Sequence, residues 1–332
     1  MARPLLFGAA LFVALVGCST PEGGLEADDD RSAMAARPQA SADAASAFTE
    51  SRADAGAAGP RVLPPPKNIV PTEHGGYALG EALTGDGMAQ TGTSQNGAPC
   101  STIVGVVRDF RGKTEPGGHP DFEAFGGSTP TLSLVAPALG TDKKPVYASL
   151  CESSLLGGTV GCPYGQMTTN KAFFDEWYRF APGMNQPYVL YLQFAPNGDV
   201  FTFQSNFYFP LDGAGYGLSG DGNDGKKHNF GFTTEIHTEF KYAGGERFTF
   251  NGDDDVWVFM NGKLAIDLGG LHPSANGTIE LDQAAASLGL TKGQTYPLDL
   301  FQAERRVTAS TFRVDTNLAF TSCGSIPPDV PR

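Results

Sequence analysis

Turn-forming residues interrupt this chain so often that a fold built on long helices is excluded. Gly (43 residues) and Pro (24 residues) make up about a fifth of the 332 residues, where roughly an eighth is usual. Between them lie short runs rich in β-branched and aromatic residues, such as 188–194 and 200–204, which flank Pro-Asn-Gly-Asp at 196–199. This spacing predicts antiparallel hairpins. We therefore expect a mainly β fold, an antiparallel β-sandwich with one or two short helices, the first over residues 171–180.

The N-terminus has the layout of an export signal rather than of a folded element. Arg3 precedes an apolar run over residues 5–16, which is too short to span a bilayer. The run ends in Leu-Val-Gly-Cys, with Cys18 followed by Ser. This resembles the bacterial lipobox, in which the cysteine is acylated and becomes the first mature residue; the alternative is an ordinary signal peptide with a chance cysteine. We predict a signal peptide over residues 1–17 and an exported protein, lipid-anchored through Cys18 at the outer membrane or cell surface.

Residues 18–98 have a composition that cannot offset the entropy of ordering by burial. The larger part is rich in Ala, Asp, Ser and Pro and includes a Pro triplet at 64–66. Residues 68–98 are rich in Gly and Thr and have little apolar content. We predict a disordered tether over 18–98, a folded domain over 99–323 and a C-terminal tail over 324–332.

The charge balance argues against nucleic acid as a partner. The formal net charge is −13, with 23 Lys and Arg against 36 Asp and Glu, whereas phosphate binding needs a basic face. The same balance disfavours docking on anionic lipid, so we expect membrane contact only through the lipid anchor. No Gly-x-Ser-x-Gly, Walker or His-Glu-x-x-His motif occurs, and we predict that the protein is not an enzyme. The remaining enzymatic alternative is glycoside hydrolysis by a carboxylate pair, with Asp267 and Glu304 as candidates.

Four cysteines remain once Cys18 is set aside as a lipid site. An even number in an exported chain suggests two disulfides, with three possible pairings. Cys151 and Cys162 enclose a short glycine-containing loop, so we favour that pair. The other disulfide would then join Cys100 to Cys323, the two ends of the folded domain. Metal binding is the alternative, but no Cys-x-x-Cys or neighbouring His pair supports zinc.

Three consecutive carboxylates precede an apolar strand pattern within residues 252–270. Asp253, Asp254 and Asp255 repel one another unless they are fully solvated or hold a cation. Hard oxygen ligands on a glycine-flanked loop suit Ca²⁺, and a solvated acidic turn is the alternative. Trp257, close to this run, either packs in the core or offers a flat face to a sugar.

Several motifs together resemble the fibro-slime domain. They span residues 102–322, and the matching segments are Val-Val-Arg-Asp-Phe at 106–110, His-Pro-Asp-Phe-Glu at 119–123, Phe-Asp-Glu-Trp-Tyr at 174–178, Phe-Thr-Thr-Glu-Ile-His-Thr at 232–238, the run at 252–270 and Asp-Leu-Phe-Gln-Ala-Glu-Arg at 299–305. The C-terminal half of that domain is similar to the protective-antigen-type, fungal-adhesin-like β-sandwich, whose motif is Asp-Asp-Gly, a short strand and Asp-Gly-Lys. With the lipobox, the resemblance implies a fibro-slime domain-containing bacterial lipoprotein.

The same resemblance implies a binding site. In fungal flocculation adhesins of that superfamily, an Asp-Asp pair binds Ca²⁺, which in turn binds sugar hydroxyls; here the pair is Asp253 and Asp254. A later loop supplies another oxygen ligand, and Glu304 is its candidate here. The sequence departs from the pattern at Asp255, where the motif often has Gly, and at Glu304, where the adhesins have Asn. The implied calcium ligands are Asp253, Asp254 and Glu304, and Trp257 joins them as a ligand-binding residue.

These features lead to two main hypotheses for function. The first is a cell-surface lipoprotein whose β-sandwich binds an extracellular glycan or matrix polymer in adhesion or slime, with dependence on Ca²⁺ left open. The second is a structural matrix component without a glycan site; a polysaccharide-acting enzyme is the least favoured alternative. We interpret the acidic turn at 221–225 as a solvated turn, and His119, His237 and His272 as hydrogen-bonded structural residues.

Overall fold

The folded part of the protein is described by a computed structural model. It covers residues 61–83, 89–90, 100–148 and 166–328, all within the compact unit Ala58–Arg332. The predicted signal peptide, the lipid site at Cys18, most of the predicted tether and the predicted Cys151–Cys162 disulfide lie outside these residues. Within the described ranges, no helix is both long and apolar enough to cross a membrane.

Eighteen strands and two helices are found in those ranges. The first strands are β1 (Arg61–Val62), β2 (Val70–Pro71), β3 (Gly76–Ala82), β4 (Ala89–Gln90), β5 (Thr102–Phe110), β6 (Asn185–Gln193), β7 (Ala195–Asn197), β8 (Val200–Ser205) and β9 (Gly220–Asp221). They continue with β10 (Lys227–His228), β11 (Phe232–Lys241), β12 (Arg247–Gly252), β13 (Asp255–Met260), β14 (Lys263–Leu268), β15 (Ala275–Glu280), β16 (Thr295–Glu304), β17 (Phe312–Thr316) and β18 (Ala319–Ile326). The helices are α1 (Lys171–Glu176) and α2 (Leu281–Leu288).

The larger sheet is built around β11. One edge of β11 pairs along its whole length with β16, whereas the other edge pairs with β5 in its first half and with β18 in its second half. From these neighbours the sheet continues through β13 to β14, through β6 and β3 to β2, and through β4 to β1. The pairs are antiparallel, except that β1 and β4 run parallel. β11 is therefore the central strand, and it is buried over most of its length.

A second, five-stranded sheet packs against the larger one. Its order is β15-β12-β17-β8-β7, antiparallel throughout, and burial alternates along β12 and β17, as expected when one face meets a core. Its inward side chains, among them Phe248, Phe250 and Phe312, share one hydrophobic core with Val256 and Val258 of the larger sheet. The predicted antiparallel β-sandwich is confirmed.

The larger sheet is covered on both faces, which explains why every residue of β13 is buried. Because successive side chains point to opposite faces of a sheet, Val256 and Val258 face the sandwich while Trp257 and Phe259 face outward. There they join a second hydrophobic core that includes Phe174 of α1. The cover consists of α1 and the described residues between β5 and α1, among them Phe122, Leu134 and Tyr147.

The first helix is short because its stabilising contacts are local. The amide of Phe173 donates to Asn170 Oδ1 at 3.0 Å, an N-cap contact typically worth about 1 kcal/mol. The helix then ends at Glu176, four residues before the predicted end at residue 180. It nevertheless buries Phe174 and places Trp177 in the second core.

The folded domain begins earlier than the sequence predicts. β3 pairs with β6, and Tyr77 and Ala78 are buried, so the prediction of a tether running to residue 98 is wrong for the described part of that segment. β3 contributes mainly its backbone to the sheet, and its apolar content is therefore too low to predict a strand. At the other end, β18 continues past the predicted boundary at residue 323 to Ile326, which is buried.

The predicted disulfide between Cys100 and Cys323 is confirmed. The two Cα atoms are 5.2 Å apart, and the cysteines are separated by 223 positions in the sequence. The bridge joins Cys100, which lies shortly before β5, to Cys323 in β18. β5 and β18 share one edge of β11. The bridge therefore ties the start of β5 to the last strand at the middle of the larger sheet.

Candidate functional site

Asp253 and Asp254 lie where the chain crosses from one sheet to the other. β12 ends at Gly252 in the smaller sheet, and β13 begins at Asp255 in the larger sheet. The two aspartates therefore belong to neither strand, and the peptide bond that joins them is cis. A side chain at Gly252 would place its Cβ 2.3 Å from the carbonyl oxygen of Thr311. The crossing thus needs glycine immediately before the acidic pair.

The third carboxylate of the run has a different role. Asp255 Oδ2 accepts from Arg305 Nε at 2.7 Å, and its Oδ1 accepts from the amide of Gly270 at 2.5 Å. Both members of the ion pair are fully buried, and the guanidinium also lies 4.5 Å above the ring of Trp177. Arg305 therefore compensates the carboxylate that this chain carries where the motif often has glycine.

Asp253 and Asp254 are each fixed by one backbone amide. Thr311 N–H donates to Asp253 Oδ1 at 2.5 Å, and Arg305 N–H donates to Asp254 Oδ2 at 3.0 Å. The second oxygen of each carboxylate accepts no hydrogen bond from any other residue that the structure describes. Both residues are only 6% and 7% exposed, so little bulk water reaches these oxygens.

Glu304 lies beside the pair because β13 and β16 are neighbours. It is fully buried, and neither carboxylate oxygen accepts a hydrogen bond of good geometry from the described residues. Burial raises the pKa of Glu304 well above its ordinary value, and the charges of Asp254 and Asp253 raise it further; the nearby Ser310 hydroxyl and Arg306 amide lower it. A buried carboxyl group with so few partners is costly, and a cation would stabilise it.

The pKa values of both aspartates are raised as well. Burial raises the pKa of Asp253 to about 6, although a backbone amide and the charge of His272 lower it. Burial also raises the pKa of Asp254 well above its usual range; Arg305 opposes this shift and Asp255 adds to it. The positive charge near the site is therefore too small to offset the free-energy cost of keeping all three carboxylates ionised.

The aspartate pair lines an open cleft of about 410 Å³. Its walls are residues 126–127, 253–254, 271–273 and 306–309. A Cβ added to Gly126 would meet no atom within 4 Å, so this lining position has room for a side chain. The volume lies within the range of small-molecule binding sites.

His272 is held against the cleft by its own loop. Its Nδ1 lies 2.8 Å from the carbonyl oxygen of Pro273, and its Nε2 lies 2.9 Å from that of Leu268. Because both ring nitrogens face carbonyl oxygens, neither directs a lone pair into the cleft. His272 therefore holds the loop in place rather than acting as a metal ligand.

No three His, Cys, Asp or Glu side chains are arranged to hold a metal ion in the part of the chain that the structure describes. Asp253, Asp254 and Glu304 interact electrostatically without forming a preformed cage. Their donor chemistry nevertheless fits the ion, since carboxylate oxygens are the ligands that Ca²⁺ prefers. The calcium set therefore stays a prediction.

The prediction that Trp257 faces a ligand is wrong. Trp257 is fully buried, its Nε1 donates to Asp267 Oδ1 at 3.0 Å, and its ring centroid lies 5.9 Å from that of Phe174. The physical reason is the cover over the outer face of the larger sheet, which excludes both solvent and ligand. Asp267 also accepts from the amide of Ser133 at 2.8 Å, so its two oxygens have structural partners instead of standing free for hydrolysis.

His119, which lies in the cover, has the hydrogen-bonded structural role predicted for it. The amide of Asp121 donates to His119 Nδ1 at 3.1 Å, and the Asp121 carboxylate accepts from Trp177 Nε1 at 3.1 Å.

The acidic turn at 221–225 lies in the β9–β10 hairpin. There, Asp224 Oδ1 lies 3.1 Å from Nε2 of His228, and His228 is buried rather than solvated.

A buried network of charges was missed by sequence reasoning. Glu235 accepts from Arg108 Nη1 at 2.6 Å and from Lys144 Nζ. The ring of His237 lies between Glu235 Oε1, 2.5 Å from Nε2, and Asp299 Oδ1, 2.6 Å from Nδ1. All five residues are at most 4% exposed. The one available signal is that Glu235 and His237, two titratable residues, flank Ile236 in the middle of a strand that is buried over most of its length.

Comparison with known proteins places this site within a recognised domain. Residues 218–332 match the family model described as PA14 domain, and that stretch contains Asp253, Asp254 and Glu304. The chain is also 41% identical to protein psiD of Dictyostelium discoideum over 192 residues, which is 57% of this chain and 36% of that protein. Protein psiR of the same organism is 38% identical over 216 residues, 62% of this chain and 20% of that protein.

The matched region is one part of larger relatives, since the chain spans roughly a fifth to two fifths of the length of the curated proteins it matches. Among solved structures, the PA14 domain of MpAFP antifreeze protein is 11% identical, covers 31% of this chain and 56% of that chain, and has a TM-score of 0.19. The fibro-slime and bacterial lipoprotein assignments stay predictions. The match of residues 218–332 to the PA14 domain model agrees with the protective-antigen-type resemblance, and the chain is similar over more than half its length to psi proteins of Dictyostelium discoideum.

Proposed function

We propose that this protein binds an extracellular carbohydrate or matrix polymer in the cleft of its PA14 domain, as a surface adhesion protein without catalytic activity. The observation that carries the proposal is the buried carboxylate of Glu304, which has no well-formed hydrogen bond and lies beside two aspartates at an open cleft. A PA14 domain favours the same function, because domains of this type serve in carbohydrate binding and adhesion.

We further propose that Asp253, Asp254 and Glu304 hold Ca²⁺ in this cleft. Bound Ca²⁺ supplies coordination positions that sugar hydroxyls occupy in place of water. The amides of Thr311 and Arg305 each occupy one aspartate oxygen, which leaves the second oxygen of each for the ion. Glu304 would add a further hard ligand, and its charge would then be compensated.

A glycan array in Ca²⁺ and in chelator tests the proposal. We expect binding that needs Ca²⁺ and that is lost in the Asp253→Asn/Asp254→Asn variant, because the amide side chains keep the backbone contacts but lose the charge. Asp199→Asn is the matched control, since Asp199 is exposed in the turn between β7 and β8. Absence of glycan binding in both conditions would favour the alternative, a structural matrix component without a glycan site.

We also propose that the protein is exported and carries a lipid on Cys18. The Cys100–Cys323 disulfide supports this, because such bridges persist in oxidising compartments. Cys18→Ser should move the protein from the membrane fraction to the soluble fraction and abolish labelling by a fatty-acid analogue. Membrane retention of that variant would contradict the proposal.

A further inference from the structure

Three consecutive residues, the last of β16 and the two that follow it, lie in three different environments. Glu304 lies buried beside the aspartate pair, and Arg305 is buried on Asp255. Arg306 follows them and is exposed at the cleft, where its Nη1 donates to the carbonyl oxygen of Phe125. This contact joins two walls of the cleft, the loop after β16 and the segment that continues into Gly126 and Gly127, and it fixes the guanidinium at the rim.

Arg306 forms no ion pair with the residues that the structure describes. No described carboxylate lies within the 4.0 Å of its guanidinium that an ion pair requires, in contrast to Arg305. Burial raises the pKa of Glu123, and the charge of Arg306 only partly opposes that rise; Glu123 Oε1 accepts from the amide of Val307 at 2.9 Å. The rim of the cleft therefore presents a cation with N–H groups to spare.

We propose that the ligand of the cleft is an acidic glycan, recognised through a sugar carboxylate that pairs with Arg306. This inference rests on the proposed function and narrows its ligand class. A neutral sugar needs only hydroxyl contacts, whereas the planar guanidinium matches a carboxylate in a two-pronged geometry. A uronate carboxylate is also a hard oxygen donor that suits Ca²⁺, so one ligand group complements both the cation proposed for Asp253 and Asp254 and the fixed guanidinium.

The lining position at Gly126 provides an independent steric probe. Because a Cβ added to Gly126 meets no atom within 4 Å and Gly126 lines the cleft, we expect Gly126→Phe to fold normally and to narrow the cleft. It should block every glycan, whereas Arg306→Gln should weaken only acidic ones. Neither change touches Asp253, Asp254 or Glu304, so the stabilisation by Ca²⁺ should remain.

Calorimetric titration in Ca²⁺ with a galacturonic acid disaccharide tests the inference. The comparison ligands are the same disaccharide with its carboxyl groups reduced to alcohols and a sulfated neutral disaccharide. We expect the uronate to bind, Arg306→Gln to weaken it about tenfold or more, the scale of a lost charge-assisted hydrogen bond, and Arg306→Lys to restore part of the loss. The matched control is Lys241→Gln, because Lys241 is exposed and pairs with Thr295 at the opposite end of β16 from Glu304.

The outcomes separate the two proposals. Equal affinity for the uronate and its reduced form, or for Arg306→Gln and the unaltered protein, would overturn the acidic-glycan inference and leave a neutral glycan site in place. Preference for the sulfated sugar over the uronate would also overturn it, in favour of sulfate recognition. If Ca²⁺ raises the melting temperature but no sugar binds, the proposed glycan function itself fails.

Discussion

Lowering the pH in chelator should stabilise this protein, because its site carboxylates resist ionisation in the folded state. The pKa values of Asp253, Asp254 and Glu304 are all raised, chiefly by burial. Between the unfolded and folded pKa values, the folded chain binds more protons than the unfolded chain does. The free energy of unfolding therefore rises as the pH falls through that window, opposite to the usual behaviour of paired carboxylates.

Asp253 sets the scale of the effect. Its pKa moves from 3.8 to about 6, and one pKa unit corresponds to about 1.4 kcal/mol, so ionising this group costs about 3 kcal/mol of stability at neutral pH. Between pH 7 and pH 5, a little under half of that penalty is relieved. For a domain of this size, the gain corresponds to a rise in Tm of roughly 3–5 °C.

The assay compares thermal unfolding of the protein and of Asp253→Asn/Asp254→Asn in chelator across this pH range. The variant is needed because His237 also makes the free energy of unfolding rise as the pH falls. Burial lowers the pKa of His237, but hydrogen bonds to Asp299 and Glu235 raise it, with a net rise. Its stabilising effect is thus complete below its unfolded pKa, 6.5, and is lost as the pH rises through the folded value. Only the part of the pH dependence that disappears in the variant belongs to the aspartates.

Calcium should reverse this behaviour. An ion that binds only the folded state adds about 2.7 kcal/mol at a hundredfold excess over Kd, and protons compete with it for the same oxygens. The gain should therefore be largest at pH 7 and shrink towards pH 5, and Mg²⁺ should substitute poorly because it demands tighter octahedral geometry. Parallel curves in Ca²⁺ and chelator, or equal pH slopes for the protein and the variant, would refute the reasoning.

Two further perturbations test the fold. Replacing Cys100 and Cys323 by Ser should lower the free energy of unfolding by about 5 kcal/mol, since the closed loop is long, and urea unfolding that differs by under 1 kcal/mol would contradict this. Glu235→Gln should destabilise the protein by about 3–5 kcal/mol, because it removes the buried carboxylate charge that pairs with two buried cations, Arg108 and Lys144. Glu239→Gln, an exposed change on the same strand, should leave the urea midpoint unchanged.

Local turn chemistry predicts the hairpins without knowledge of the fold. Asn261 and Gly262, with φ values of 52° and 70°, form the turn that joins β13 to β14, because such residues tolerate positive φ. Gly198, with φ of 63°, and Asp199 form the turn between β7 and β8. In both cases the information lies within four residues, so sequence reasoning places these strands correctly.

Features that depend on distant segments are not predictable in this way. The alternation of Val256, Trp257 and Val258 indicates that the tryptophan faces away from the valines, but not that α1 and the segment before it cover that face. β3 is missed because its backbone, rather than a run of apolar side chains, places it in the sheet. The Arg305–Asp255 ion pair joins the residue just after β16 to the first residue of β13, and neither residue's local sequence identifies the other as its partner.

The position of the site follows from the register of β13 and β16. Asp255 pairs with Ala303, so the residue before Asp255 and the residue after Ala303, Asp254 and Glu304, emerge at the same end of the strand pair. Arg305 then holds two of the carboxylates in place. Its side chain donates to Asp255, and its backbone amide donates to Asp254. A shift of one residue would send Glu304 to the other face of the sheet and break both contacts. The acidity of the cleft therefore follows from the strand register, whereas Arg306, the exposed cation at the cleft, belongs to the loop that follows β16.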